Sequence, residues 1–374
     1  MNKLLATASA LAMTAMSAPA IAGPVTDCPL RDAPFSAQSP LIDILLSPAA
    51  KAVIDKYAPG KLDRMPPMFA GTKPPTFAAI LSAETATRFT GLSADIVAKI
   101  DAELRALPVT DADKVARCQR YDNDVPKLAP AGKAKARLLV FEKINGFKDA
   151  PSVNAAHAAL SAMAERRNWS VTFTEMAGAF NPKTLSQVDA VVWNNISGDV
   201  LTLSQRKAFQ AFLAHGGGFA AMHGSAGDPT YFWDWYPDKL IGARFAGHPM
   251  APQFQEARVI VSTDHPLAKA AGLPREWRMK DEWYSFKSSP RAVGAKVIAS
   301  LDEGSYTRKG PMAEGGLDMG ADHPIAWTNC LGRGRMFYSA IGHMPQTYSQ
   351  PQALALLEAG IAWAATDKGG CPAR

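Results

Sequence analysis

From Arg137 onward, short runs of consecutive apolar residues alternate with longer amphipathic stretches. The runs "RLLVFEK", "SVTFTEM", "DAVVWNN", "GGFAAMH" and "RMFYSAIG" are four to six residues of β-branched and apolar side chains between turn signals. Between them, residues 151–167 and "TLSQRKAFQAFLAH" have helical spacing, the latter opening on a Thr/Ser cap. Continuous apolar strands separated by helices predict a parallel sheet covered on both faces. Residues 23–132 differ. "PLIDILLSPAAKAVIDKY" and "SADIVAKIDAELRAL" read as short helices, prolines are dense in "MPPMFAGTKPPTFAAIL", and no histidine occurs. "KLAPAGKAKA" then reads as a linker. The expected division is a leader over 1–22, a helical extension with its linker over 23–132, an α/β domain over 133–367 and a tail over 368–374.

The start of the chain changes the picture of its surroundings. Lys3, the apolar-to-small run "LLATASALAMTAMSA" and the "AIA" site ending at Ala22 read as an export signal. The protein is therefore expected to be periplasmic or secreted, with no membrane span. In an oxidising compartment the four cysteines become disulfide candidates. Cys28–Cys118 and Cys330–Cys371 is the favoured pairing, because each bond would fasten the ends of one segment. The composition, 47% apolar and 20% charged, is that of a globular chain with a full core. A net charge of +6 without a Lys/Arg block or basic aromatic stripe argues against a nucleic-acid partner.

In parallel sheets, ligands bind beyond the carboxyl ends of the strands. The stretch "HGGGFAAMHGSAGD" brings that rule to one residue. Its glycines end a helix, "FAAM" makes the strand, and His223 follows at a turn that Gly224 permits, with its side chain expected to be displayed. Ser225 lacks the glycine two positions before it that a nucleophile elbow needs. His343 repeats the device after "YSAIG", and His248, Asp281, Glu282 and His323 also fall at loop starts. Two or three imidazoles and a carboxylate are ingredients of a divalent-metal site or an acid–base centre. The rings of "YFWDWY" and "EWYSF" stand beside acidic residues, an arrangement suited to the CH faces and hydroxyls of sugars.

These blocks together resemble the ThuA-like family, named for trehalose utilisation. The resemblance runs from Arg137 to Thr366 through "LLVFEKINGFKD", "DAVVWNNISGDVLTLSQRKAFQAFLAHGGGFAAMHGSAGD", "WDWYPDKLIGARFAGHP", "DHPLAK", "KDEWYSF", "ADHPIAWTNCLGRGRMFYSAIGH" and "LALLEAGIAWAA". It implies a flavodoxin-like three-layer fold, mostly parallel, related to class I glutamine amidotransferases. In those relatives a cysteine occupies the strand-end elbow. His223 stands there in this sequence, and neither Cys118 nor Cys330 could replace it, so amidotransferase chemistry is not expected. The resemblance implies sugar metabolism on 3-keto or related glycosides, with a small-molecule carbohydrate as partner. His223, Asp281, Glu282 and His343 are the catalytic candidates. His223, His248, Glu282 and His343 are the candidate ligands of one divalent ion, and no nucleotide cofactor is expected. Asn194, Asp228, Trp233, Trp235, Trp283, Tyr284 and His323 are the substrate-binding candidates. A non-catalytic periplasmic carbohydrate-binding protein is the alternative reading, and a serine hydrolase acting through Ser225 is a third.

Overall fold

A computed structural model describes residues 23–309, 316–367 and Cys371. The expected leader over residues 1–22 and most of the tail lie outside the described residues. Six short helices come first: α1 Leu41–Leu46, α2 Pro48–Tyr57, α3 Pro67–Ala70, α4 Ala83–Phe89, α5 Ala94–Ala106 and α6 Asp111–Cys118. Their starts follow the sequence closely. Pro sits in the first turn of α2 and α3, and Ser47, Ser82 and Thr110 accept from backbone N–H groups at the heads of α2, α4 and α6. Apolar stripes on α1, α2 and α5 enclose a small core of Phe35, Leu41, Ile44, Ile54, Ile100 and Leu104. The Cys28–Cys118 disulfide ties the chain before α1 to the end of α6.

The remaining chain folds around one sheet. Its strands are β1 Ala136–Phe141, β2 Trp169–Thr174, β3 Ala190–Asn194, β4 Gly218–Met222, β5 Phe245–Gly247, β6 Phe254–Val261, β7 Glu276–Glu282, β8 Ser285–Phe286, β9 Lys296–Leu301, β10 Pro324–Leu331 and β11 Gly334–Ser339. The helices are α7 Ala150–Arg167, α8 Pro182–Leu185, α9 Leu203–Ala214, α10 Pro266–Ala270 and α11 Pro351–Thr366. Among the described residues nine strands pair in the order β2-β1-β3-β4-β11-β10-β9-β6-β7, and β5 with β8 forms a separate pair. The first five strands pair in parallel and the remaining pairings are antiparallel. Only β10 and β6 run against the rest, so the sheet is α/β and mostly parallel, as expected.

Helix α11 lies along β1, β3, β4 and β11 beside α7, to which Arg166 and Arg167 fasten it through Glu358. Phe209 of α9 packs on Trp193 and Phe219, covering the opposite face. Strands buried between two helical layers read as unbroken apolar runs, which is why the sequence displays them so plainly. The Thr/Ser cap expected at the head of "TLSQRKAFQAFLAH" is present and is extended to a capping box, with Thr202 and Gln205 bonded reciprocally.

One departure from regular pairing matters for function. Strands β6 and β7 pair from Phe254↔Glu282 to Ile260↔Glu276, whereas β6 meets β9 only at Val259, Ile260 and Val261. The far end of this two-stranded ribbon is therefore free of the sheet. Its tip, Asp281–Glu282, reaches the carboxyl ends of β4 and β11.

Candidate active site

His223 directly follows β4 and takes φ +33°, a left-handed conformation that costs a non-glycine residue about 1–3 kcal/mol. Its ring is buried, at 3% exposure, which corrects the expectation of a displayed side chain. The reason is tertiary: the ribbon tip and the Tyr284 ring, 4.1 Å away between centroids, close over it. The Nδ1 of His223 lies 2.7 Å from the Ala340 carbonyl oxygen, so it carries the proton and leaves the Nε2 lone pair facing inward.

That Nε2 is 3.0 Å from His343 Nδ1 and 3.3 Å from Glu282 Oε2, and His343 Nδ1 is 2.9 Å from the same oxygen. Three ligand-type atoms thus form a triangle with edges close to 3 Å, and His223, Glu282 and His343 are the metal-type cluster found among the described residues. An octahedral ion with bonds of about 2.1 Å sets adjacent ligands about 3.0 Å apart, and a tetrahedral one about 3.4 Å. The donor set, two imidazoles and one carboxylate on one face, therefore fits a divalent ion that keeps open positions. Burial opposes ionisation of Glu282, yet the His223 and His343 imidazoles beside it, with His248 close by, hold its carboxyl well below the usual range. Burial likewise disfavours the charged form of His343, and the bond to Glu282 outweighs it and raises that imidazole.

His248 stands beside this triangle. Its Nδ1 is 3.0 Å from the Pro249 carbonyl oxygen and 3.3 Å from Glu282 Oε1, the oxygen that also accepts from Gln253. It is the most exposed of the four candidate ligands, with a quarter of its side chain open.

Several sequence expectations change once side chains are placed. Asp281 is fully buried, and its two oxygens accept from the backbone N–H groups of Glu282, Gly342, His343 and Met344 and from the Thr347 hydroxyl. Those donors occupy the lone pairs a base would need, so Asp281 positions the His343 loop instead. Asn194 is spent on Glu142, the Val153 carbonyl and Asn195. Trp283 is a core residue at 1% exposure whose Nε1 donates to the Gln255 carbonyl. His323 is fully buried between Glu303 and the Tyr284 carbonyl, where it props the loop that covers His223. Ser225 accepts from the Ile196 N–H and donates to the Trp193 carbonyl, and among the described residues no imidazole bonds to it. This removes the serine-hydrolase reading.

Asp228, Trp233 and Trp235 belong to a different place. Asp228 and Trp233 line a cavity of about 30 Å³ with Trp193, Ser225 and Tyr231, room for about two waters. Trp233 stacks on Trp235 and under Arg206. Asp228 accepts from Ser197 Oγ and the Gly198 N–H, and burial pushes its carboxyl up to about 7. Of the substrate-binding candidates only Tyr284 touches the His223 cluster. Sequence reasoning missed Gln253, Thr347, Phe147 and Phe254, the last two with rings 6.0 and 5.0 Å from His343. The one signal that could have found any of them is the place of Phe147 in the loop after β1, at the carboxyl rim of the sheet.

A family model described as ThuA, trehalose utilisation, matches residues 137–364. No curated protein matches the chain. Among solved structures, a ThuA-like protein from Bacteroides uniformis is 22% identical with a TM-score of 0.53, covering 65% of this chain and 98% of its own. A second, from Parabacteroides merdae, is 18% identical with a TM-score of 0.45, over 64% of this chain and 95% of that one. The likeness is one of fold. The family match begins at residue 137 and so leaves out the helices before β1.

Proposed function

The chain belongs to the ThuA, trehalose-utilisation family, and from that premise we propose that it is an exported, metal-assisted enzyme acting on glycosides that carry a carbonyl at C3. The observation that carries this reading is the buried triangle of His223 Nε2, His343 Nδ1 and Glu282 Oε2 at the carboxyl rim of the sheet. Export is supported by the two disulfides, and no helix among the described residues is long and apolar enough to cross a membrane.

A C3 carbonyl acidifies the C2 proton. A bound divalent ion would stabilise negative charge on a substrate oxygen beside it. The rest falls to the protein's own side chains. The Nδ1 of His248 is engaged by Pro249 and Glu282, which leaves Nε2 as the base that takes the C2 proton. The freed electron pair forms the C2=C3 enolate. It then becomes the C1=C2 double bond, C3=O reforms, and the C1–O bond breaks with its oxygen taking up the proton that His248 removed from C2. Asp281 keeps His343 in register throughout, and the Tyr284 ring keeps water off His223.

The test is metal content and turnover on the same material. The mature protein, purified from an oxidising compartment without chelator or nickel, should hold about one equivalent of a divalent metal and consume 3-keto-glucosides. Both properties should vanish in His223→Ala and in Glu282→Gln with folding intact. A metal-free protein whose turnover ignores added manganese, zinc and cobalt would overturn the metal role. Sugar binding without any product would favour the carbohydrate-binding alternative.

A further inference from the structure

A row of rings connects the helical extension to the candidate active site. Phe69 of α3 stacks on Phe77 at 4.8 Å, Phe77 meets Phe147 at 5.2 Å, and Phe147 meets His343 at 6.0 Å. Phe69, Phe77 and Phe147 are all partly buried, the first two packed also against the core of the extension, so none of the three is fully enclosed. The first two come from residues preceding the family match and the third from the loop after β1. Their seating is specific. The Thr76 N–H donates to the Asn145 carbonyl at 3.0 Å, and Gly146 lies so close that a Cβ there would stand 2.6 Å from Ile80 Cγ2. Asp149 in the same loop is half-buried and sets Oδ2 3.8 Å from His343 Nε2, adding a polar partner at the inner end of the row.

Rings that stay open in a line leading away from a polar reaction centre have the amphipathic character of a carbohydrate subsite. We propose that the extension supplies the leaving-group subsite of the enzyme, with Phe69, Phe77 and Phe147 forming a platform for the apolar face of the C1 substituent. The inference rests on the carbohydrate reading above. It gives residues 66–80 a role in substrate choice: a bulky ring at C1 has a platform to lie on, and a methyl group does not reach it.

The test separates binding from turnover. Phenyl and methyl glucosides of one anomer are titrated calorimetrically into the full mature chain. The wild type should bind the phenyl compound about tenfold more tightly, and Phe69→Ala with Phe77→Ala should erase that margin while leaving methyl glucoside affinity unchanged. Phe69→Tyr, which keeps the ring, should retain it, and thermal melting checks that each variant is folded. His343→Ala should keep the phenyl margin even though turnover is lost. A margin that survives removal of both rings, or no margin in the wild type, overturns the platform. Neither outcome touches the metal reading, which stands or falls on metal content and turnover of 3-keto-glucosides.

Discussion

His223 Nε2 and His343 Nδ1 stand 3.0 Å apart although 120 residues separate them in the chain. They meet because β4 and β11 are parallel neighbours with Met222 opposite Ser339, so the residues just beyond both strands emerge at one point. His223→Ala and His343→Ala should therefore each weaken retention of a divalent metal by about 100-fold or more. His248→Ala should leave metal content unchanged and lower turnover. Elemental analysis with chelator competition, alongside kinetics, separates the two classes. Equal metal loss in all three variants would place His248 among the ligands.

Asp281 and Glu282 are consecutive, yet one is committed to the backbone and the other to imidazoles. Asp281→Ala leaves the N–H groups of Gly342, His343 and Met344 and the Thr347 hydroxyl without their acceptor. The expected cost is about 3 kcal/mol or more in denaturant unfolding. Turnover should fall with it as His343 loses its register. A stable, active Asp281→Ala protein would contradict the positioning role.

Asp228 gives the fold a pH dependence of known sign. Its carboxyl is raised by burial from 3.8 to about 7, so the folded state binds more protons than the unfolded state in between. Stability from this group is fully present below pH 3.8 and is lost as pH rises through about 7. Asp228→Asn should flatten the decline in melting temperature between pH 5 and pH 8. An unchanged decline in the variant would show that other groups cause it.

The disulfides close loops of different length, with sequence separations of 90 for Cys28–Cys118 and 41 for Cys330–Cys371. Chain entropy assigns about 4–5 kcal/mol to the first and about 4 kcal/mol to the second. Paired Ser substitutions should lower unfolding free energy on that scale. Loss of the first should also weaken seating of the extension and reduce the phenyl-over-methyl preference.

The pattern of apolar runs and helical stretches was enough to locate β1 to β4, α7, α9 and β11, because strands buried on both faces must be apolar throughout. Strand-end logic then marked His223 and His343. Pairing in the outer half of the sheet was not legible, since β6 and β7 are two-sided strands whose partners are set by contacts far apart in the chain. That pairing decides the site: it frees the ribbon tip, turns Asp281 toward the backbone and Glu282 toward the histidines, and buries what the sequence alone would have left open. Residue identity supplied four imidazoles and two carboxylates at loop starts. Only the tertiary fold could say which carboxylate still had lone pairs to offer, because hydrogen bonds from distant backbone consume them.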